Sequence, residues 1–321
     1  MKKSLVALAA LAVVGAASAQ SSVTLYGVAD VSVGKTSDPG LGLANDKFQV
    51  ITANALNNGT SRFGFRGTED LGGGLKAGFN FEGGLSLANG AGNFSGGQLF
   101  SRAANMSLMG GFGEIRVGRS LTTSFYSMAQ WELTGTANYS VVGSQFGFGG
   151  PGPRESNVIM YNSPNFSGFS FSGSFVNEGN AAYVIAGDNK SKYDLSATYA
   201  NGPIAASLAY NKVNSGNEGT VLGGKYDFGM VQVAASYNRY KTDAGAILAQ
   251  GYSLGASGTV GPVILTLDVA RDTEFNDTDF LLEAKYPLSK RTFVYGVFTR
   301  NGSGKSVSDV DGYAIGVRHN F

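Results

Sequence analysis

The sequence predicts an all-β fold, a sixteen-stranded antiparallel β-barrel that spans a membrane, and three observations lead there. Apolar and polar residues alternate with a period of two along nearly the whole chain. Tight turns and long polar connections follow one another in alternation. All seven prolines fall between the alternating segments, where a missing ladder donor does no harm.

The first nineteen residues stand apart. Lys2 and Lys3 open the chain, an apolar run covers Leu5 to Ala17, and Ala17-Ser18-Ala19 forms a small-x-small cleavage site before Gln20. That is the layout of a secretory signal peptide over 1–19, with an apolar run too short to cross a bilayer as a helix. Cleavage would remove two lysines and leave 22 basic against 23 acidic side chains over 20–321. A balance this close to neutral excludes nucleic acid as a partner, which needs a basic stripe. Cysteine is absent, so an exported chain of this kind has no disulfide framework and no thiol chemistry. Glycine, at 48 of 321 residues, is about twice as frequent as in an average protein. Beyond the leader no apolar stretch reaches eighteen residues, which excludes a helical membrane protein but not a barrel, where alternation averages hydropathy away.

In the first strand Val23, Leu25, Gly27, Ala29, Val31 and Val33 share one face, with Thr24, Tyr26, Asp30 and Ser32 on the other. The same alternation places Leu195 against Asp194, Leu265 and Leu267 against Thr266 and Asp268, and Leu282 against Glu283. Phe293, Tyr295 and Val297 read as a further outward row, and Tyr313, Ile315 and Val317 as the last. Sixteen such segments fall at 22–34, 58–69, 74–84, 98–109, 113–120, 155–163, 168–178, 191–200, 203–213, 219–227, 230–241, 250–260, 262–271, 279–287, 291–300 and 311–321. An even number of strands of about ten residues is what a bilayer-spanning barrel requires. Aromatics such as Tyr161, Phe169, Tyr226, Tyr286 and Tyr295 lie near strand ends, where amphipathic rings favour a membrane–water interface. In the second strand Phe63 and Phe65 point to lipid, so Arg62 and Arg66 point to the lumen; Glu82 opposes Phe79 and Phe81 in the third, and Lys76 and Arg116 share the inward parity. The carboxylates Asp268, Asp272, Glu274, Asp277, Asp279 and Glu283 read as a solvated acidic loop region, with cation binding between external loops as the alternative.

Several stretches, taken together and in order, carry a family resemblance. They are Ser22-Val23-Thr24-Leu25-Tyr26-Gly27, Ser61 to Gly72, Phe100-Ser101-Arg102, Gly118-Arg119, Asn157 to Pro164, and the ending Gly316-Val317-Arg318-His319-Asn320-Phe321. Over the whole mature chain the sequence resembles the trimeric general-diffusion porins of Gram-negative bacteria, particularly the β-proteobacterial type. The resemblance implies a homotrimer in the outer membrane that lets small hydrophilic solutes and ions diffuse passively. It also implies that the long irregular segment 120–153 is the third loop, folded into the lumen. By motif, Arg62, Arg102 and Arg154 match the arginine cluster of the constriction wall, with Arg154 seven residues before Tyr161. Phe321 looks like the C-terminal signal read by the barrel-assembly machinery. Trimer contacts are expected on the outer face of the early strands, where Gly27, Ala29 and Ala103 are small.

Family members often set several acids on the loop against the arginines. Here Glu132 is the only charge between Ser120 and Pro153. A nearly uncharged loop facing Arg62, Arg66, Arg102 and Arg154, with Glu82 as the nearby carboxylate, predicts a preference for anions, because a low-dielectric wall focuses the field of fixed charges. No catalytic site, cofactor or metal is expected: His319 is the only histidine, and glycine pairs such as Gly72-Gly73 lack the lysine and helix of a nucleotide loop. The rival readings are a substrate-specific channel of the same architecture, a closed-barrel adhesin or enzyme, and a soluble secreted β protein.

Overall fold

The computed structural model describes residues 22–38, 47–93, 97–147, 152–178, 184–185, 188–304 and 309–321. The leader read at 1–19, Pro39 and Pro151 lie outside them. Sixteen long strands follow one another: β1 Ser22–Thr36, β2 Arg62–Gly72, β3 Leu75–Leu85, β4 Ala103–Gly110, β5 Gly113–Leu121, β6 Arg154–Asn162, β7 Phe169–Val176, β8 Lys192–Asn201, β9 Ile204–Val213, β10 Glu218–Asp227, β11 Val231–Lys241, β12 Ile247–Val260, β13 Val263–Asp272, β14 Asp277–Pro287, β15 Thr292–Asn301 and β16 Val310–Asn320. Each expected segment corresponds to one strand; the largest displacement is the start of β4, read at 98 and observed at Ala103. Pro287 ends β14 rather than lying in the turn after it.

Every long strand pairs antiparallel with its sequence neighbours, and β1 closes the barrel against β16 from Val28↔Asn320 to Thr36↔Gly312. On its other side β1 pairs β2 over Ser22–Val28, then the short strand Gln49–Ile51 over Ser32–Gly34. The last residue finishes the seam: Phe321 and Gly27 exchange backbone hydrogen bonds of 2.9 and 3.0 Å, and the Phe321 ring covers Gly27 so closely that a side chain there would collide with it. Closure satisfies the ladder all round, the condition for sheet inside lipid. One rim carries tight turns. At Gly72, Gly73 and Gly74 the backbone holds φ of +81°, +60° and +82°, three successive left-handed residues that only glycine adopts freely.

Outward side chains are large and apolar, as at Leu25, Met106, Val117, Ile159, Leu195, Leu222, Leu254 and Ile315, all more than half or nearly half exposed on the isolated barrel. That is a lipid-facing surface, and the buried apolar cluster lies inside instead. Met128, Trp131, Tyr139, Val141, Val142 and Phe146 of the segment between β5 and β6 pack on Ala209, Val221, Ala249, Ala270, Leu281 and Val297 of the wall. Each large side chain buried there contributes about 1.5–3 kcal/mol, which offsets the entropy of ordering so long a loop.

Three expectations change. Tyr295 and Val297 face inward, 1% and 5% exposed, so the parity read for β15 is inverted. The run Phe293-Val294-Tyr295-Gly296-Val297-Phe298 is apolar on both faces, and the inner choice is decided by the phenol of Tyr295, which donates to Asp30 at 2.7 Å. The carboxylates Asp268, Asp272, Asp277, Asp279 and Glu283 are buried, and Glu274 alone of that group is exposed, so the region is not a solvated acidic loop. Ala103 lies opposite Glu82 and lines the lumen, which removes it from the outer contact surface; Gly27 is taken by Phe321.

Candidate functional site: the lumenal waist

The segment after β5 turns inward as a short helix, α1 (Thr123–Met128), capped by its own Thr122 side chain. A second short helix, α2 (Val141–Phe146), is capped by Ser140. Polar bonds tie the segment to one half of the wall. The Ser124 amide and hydroxyl donate to Asp194 at 2.9 and 2.7 Å. The Trp131 indole donates to Ser207 at 2.9 Å, with its ring against Gly223 where no side chain would fit. Tyr139 bonds Glu283, and Ser144 donates to Asp279 at 3.2 Å. The loop therefore covers the inner face of β8–β14 and leaves the face of β1–β6 open to the lumen.

On that open face two cavities of about 370 and 560 Å³ meet end to end. Glu82, Arg102, Leu121 and Arg154 line both and mark the waist between them. Strand geometry explains the convergence: Arg62 on β2, Glu82 on β3 and Arg102 just before β4 stand at neighbouring inward positions, and Arg154 opens β6 across from Leu121. Glu82 receives Arg102 Nε at 2.7 Å and lies 3.5 Å from Arg62 Nε, so one carboxylate serves two guanidiniums. The Tyr26 hydroxyl lies within hydrogen-bond distance of Glu82 at 3.0 Å and of Asn80 at 2.8 Å. Arg154 is within electrostatic reach of Glu82 as well as of Arg102, Arg62 and Arg119, and its buried Nε has no hydrogen-bond partner.

Arg66 sits away from this group, on the tight-turn side, with its guanidinium 4.9 Å from the centre of the Tyr26 ring. Arg116, beside it, is held by Glu114 at 2.9 Å and by the Tyr126 hydroxyl at 3.1 Å. Glu132 is not in the lumen. It is 3% exposed, and its carboxylate accepts from Thr134 Oγ1 at 2.7 Å and the Thr136 amide at 2.6 Å, closing a turn of its own loop. His319 faces outward at the tight-turn rim and bonds Thr292.

Two parts of the site escape a reading strand by strand. Arg318, on β16, joins the same cavity as Arg62 because the barrel closes through β1; its inward parity opposite Val317 was the available signal. Residues 52–61 also fold inward. There Asn57 donates to Asp30 at 3.2 Å, and Asn138 of the loop donates its amide to Asn58 O at 3.3 Å. Among the described residues, six arginines (62, 66, 102, 116, 154 and 318) and two glutamates (82 and 114) line the cavities. On the opposite wall Asp194, Asp279 and Glu283 are covered by the loop and engaged in the bonds just described.

The Gram-negative porin family model matches residues 5–306. The chain belongs to the Gram-negative porin family. Outer membrane porin protein 32 of Delftia acidovorans is 35% identical over the full length of both porins. An outer membrane porin of Bordetella pertussis is 29% identical, again with both chains covered entirely. Among solved structures, an anion-selective porin from Comamonas acidovorans superposes with a TM-score of 0.76 at 30% identity, covering 94% of this porin and all of that one. The barrel is thus an outer-membrane diffusion channel of a Gram-negative bacterium, its tight-turn rim the periplasmic one.

Proposed function

We propose that this porin conducts small hydrophilic solutes with a preference for anions, and that Arg62, Arg102 and Arg154 with Glu82 form its constriction. Six arginines against two glutamates along the water path carry the reading. At the waist two arginines share Glu82 and a third has no acid of its own. A screening length of about 8 Å at physiological salt reaches across a narrow pore, so the surplus acts on every passing ion. The solved relative described as anion-selective supports the same reading. Arg66 and Arg116 lie on the approach from the periplasmic side, and Glu132 contributes no lumenal charge.

A homotrimer fits the family and the apolar outer face of β1–β7, and the barrel-assembly machinery is the partner that would read Phe321, whose ring ends the seam on the outer surface. Ion substitution in single-channel recordings tests the preference. Replacing chloride by acetate is expected to lower the conductance far more than replacing potassium by lithium; the reverse ranking would overturn it. A ladder that runs as monomer in unboiled samples would remove the trimer.

A further inference from the structure

We propose that Asn58 is a specificity-determining positioning residue, which keeps Arg318 in the lumen as a positive charge bonded to a neutral acceptor rather than paired with a carboxylate. The inference rests on the reading that the arginine surplus sets anion preference, and it adds a residue that carries no charge itself.

Asn58 is 5% exposed and sits where three parts of the pore meet. Its Oδ1 accepts from Arg318 Nη1 at 2.6 Å, and its Nδ2 donates to the Tyr139 hydroxyl at 2.7 Å. Its backbone amide donates to the Tyr295 hydroxyl at 3.2 Å. The orientation of the side-chain amide follows from chemistry, because a guanidinium can only donate and must face the oxygen. The next residue completes the cradle: a Cβ on Gly59 would lie 2.9 Å from Arg318 Nη1.

A neutral acceptor is what matters here. Two buried carboxylates lie close by, Asp30 within electrostatic reach of Arg318 and Glu283 with Oε1 3.5 Å from Asn58 Nδ2. Pairing Arg318 with either would cancel its charge and remove it from the cavity it shares with Arg62 and Arg154. The Asn58 amide binds the guanidinium without neutralising it. The same amide pins Tyr139, so the side chain also holds the loop at a set distance from the cationic face.

The test is the chloride-to-potassium permeability ratio of bilayer-reconstituted porin, with heat-modifiable gel mobility as the check on folding. Asn58→Ala frees Arg318 to turn to Asp30, and Asn58→Asp keeps the side-chain shape but supplies a full counter-charge. Both are expected to lower the ratio by about twofold, the order expected when one of several fixed charges along a narrow path is neutralised. In an Arg318→Gln background Asn58→Ala should not lower it further, while Asn58→Asp still adds a negative charge of its own. An unchanged ratio in the folded single variants overturns the proposal, as does an equal loss from Asn58→Ala with and without Arg318. A wild-type channel that prefers cations would contradict the proposed function instead, while the change between wild type and variant would still decide the role of Asn58.

Discussion

The hydroxyl of Tyr139, midway along the inserted loop, bonds the fully buried carboxylate of Glu283 on β14. Lys285 balances the same carboxylate at 2.9 Å and also donates to Thr134 O of the loop at 3.2 Å. A loop with a single charge of its own is therefore held by borrowing charges from the wall.

Tyr139→Phe keeps the ring beside Tyr295, with centroids 6.1 Å apart, and removes only the hydroxyl. A hydrogen bond to a charged group is worth about 1.5–3 kcal/mol, enough to change how often the loop leaves the wall. Single-channel traces of the variant are expected to show more frequent brief closures under applied voltage. Traces indistinguishable from wild type would mean that the remaining contacts of the loop hold it without the Tyr139 hydroxyl.

Trp131 is the only tryptophan, so intrinsic fluorescence reports on the loop alone. In the wild type its 1% exposure predicts blue-shifted emission that acrylamide quenches poorly. Gly223→Val places a side chain where the indole lies, and overpacking of this kind costs about 1–3 kcal/mol. The expected result is a red shift with easier quenching, while the gel mobility of the folded barrel is retained. Unchanged emission would show that the loop is anchored elsewhere.

Lys192 and Glu155 form an ion pair at 0% and 3% side-chain exposure on the inner wall, where Lys192 lies opposite Val176 and Val213. Removing one member of a buried pair is worth about 3–5 kcal/mol, whereas removing both charges is often nearly neutral. Lys192→Met is expected to lower the urea midpoint of the detergent-solubilised barrel, and Lys192→Met with Glu155→Gln to recover most of it. A single variant as stable as the wild type would contradict the pairing.

The strands were legible because a barrel writes each one as alternation between lipid and lumen, and because proline and glycine mark the turns. Alternation failed at Tyr295, where both faces are apolar and the hydrogen bonds of the phenol to Asp30 and from the Asn58 amide select the inner one. The arginines on β2 to β6 were legible by parity and motif. Arg318 was not joined to them, since its neighbourhood comes from closing the ends of the chain through β1. Glu132 misled for a local reason: its partners Thr134 and Thr136 form a tight turn that takes the carboxylate out of the lumen. Asp279 and Glu283 of β14 looked solvated because a linear sequence does not reveal that a loop some 130 residues earlier covers them; Asp272 and Asp277 are buried by the turns beside them.

The waist itself is the point on which the account turns. Glu82 is the carboxylate shared by Arg102 and Arg62, and Arg154 adds a third positive charge within reach of that one acid. The zero-current potential across a planar bilayer in a KCl gradient measures the consequence most directly. The expected potential has the sign set by chloride and is larger in Glu82→Gln and smaller in Arg102→Glu. A wild-type potential of the sign set by potassium would contradict it.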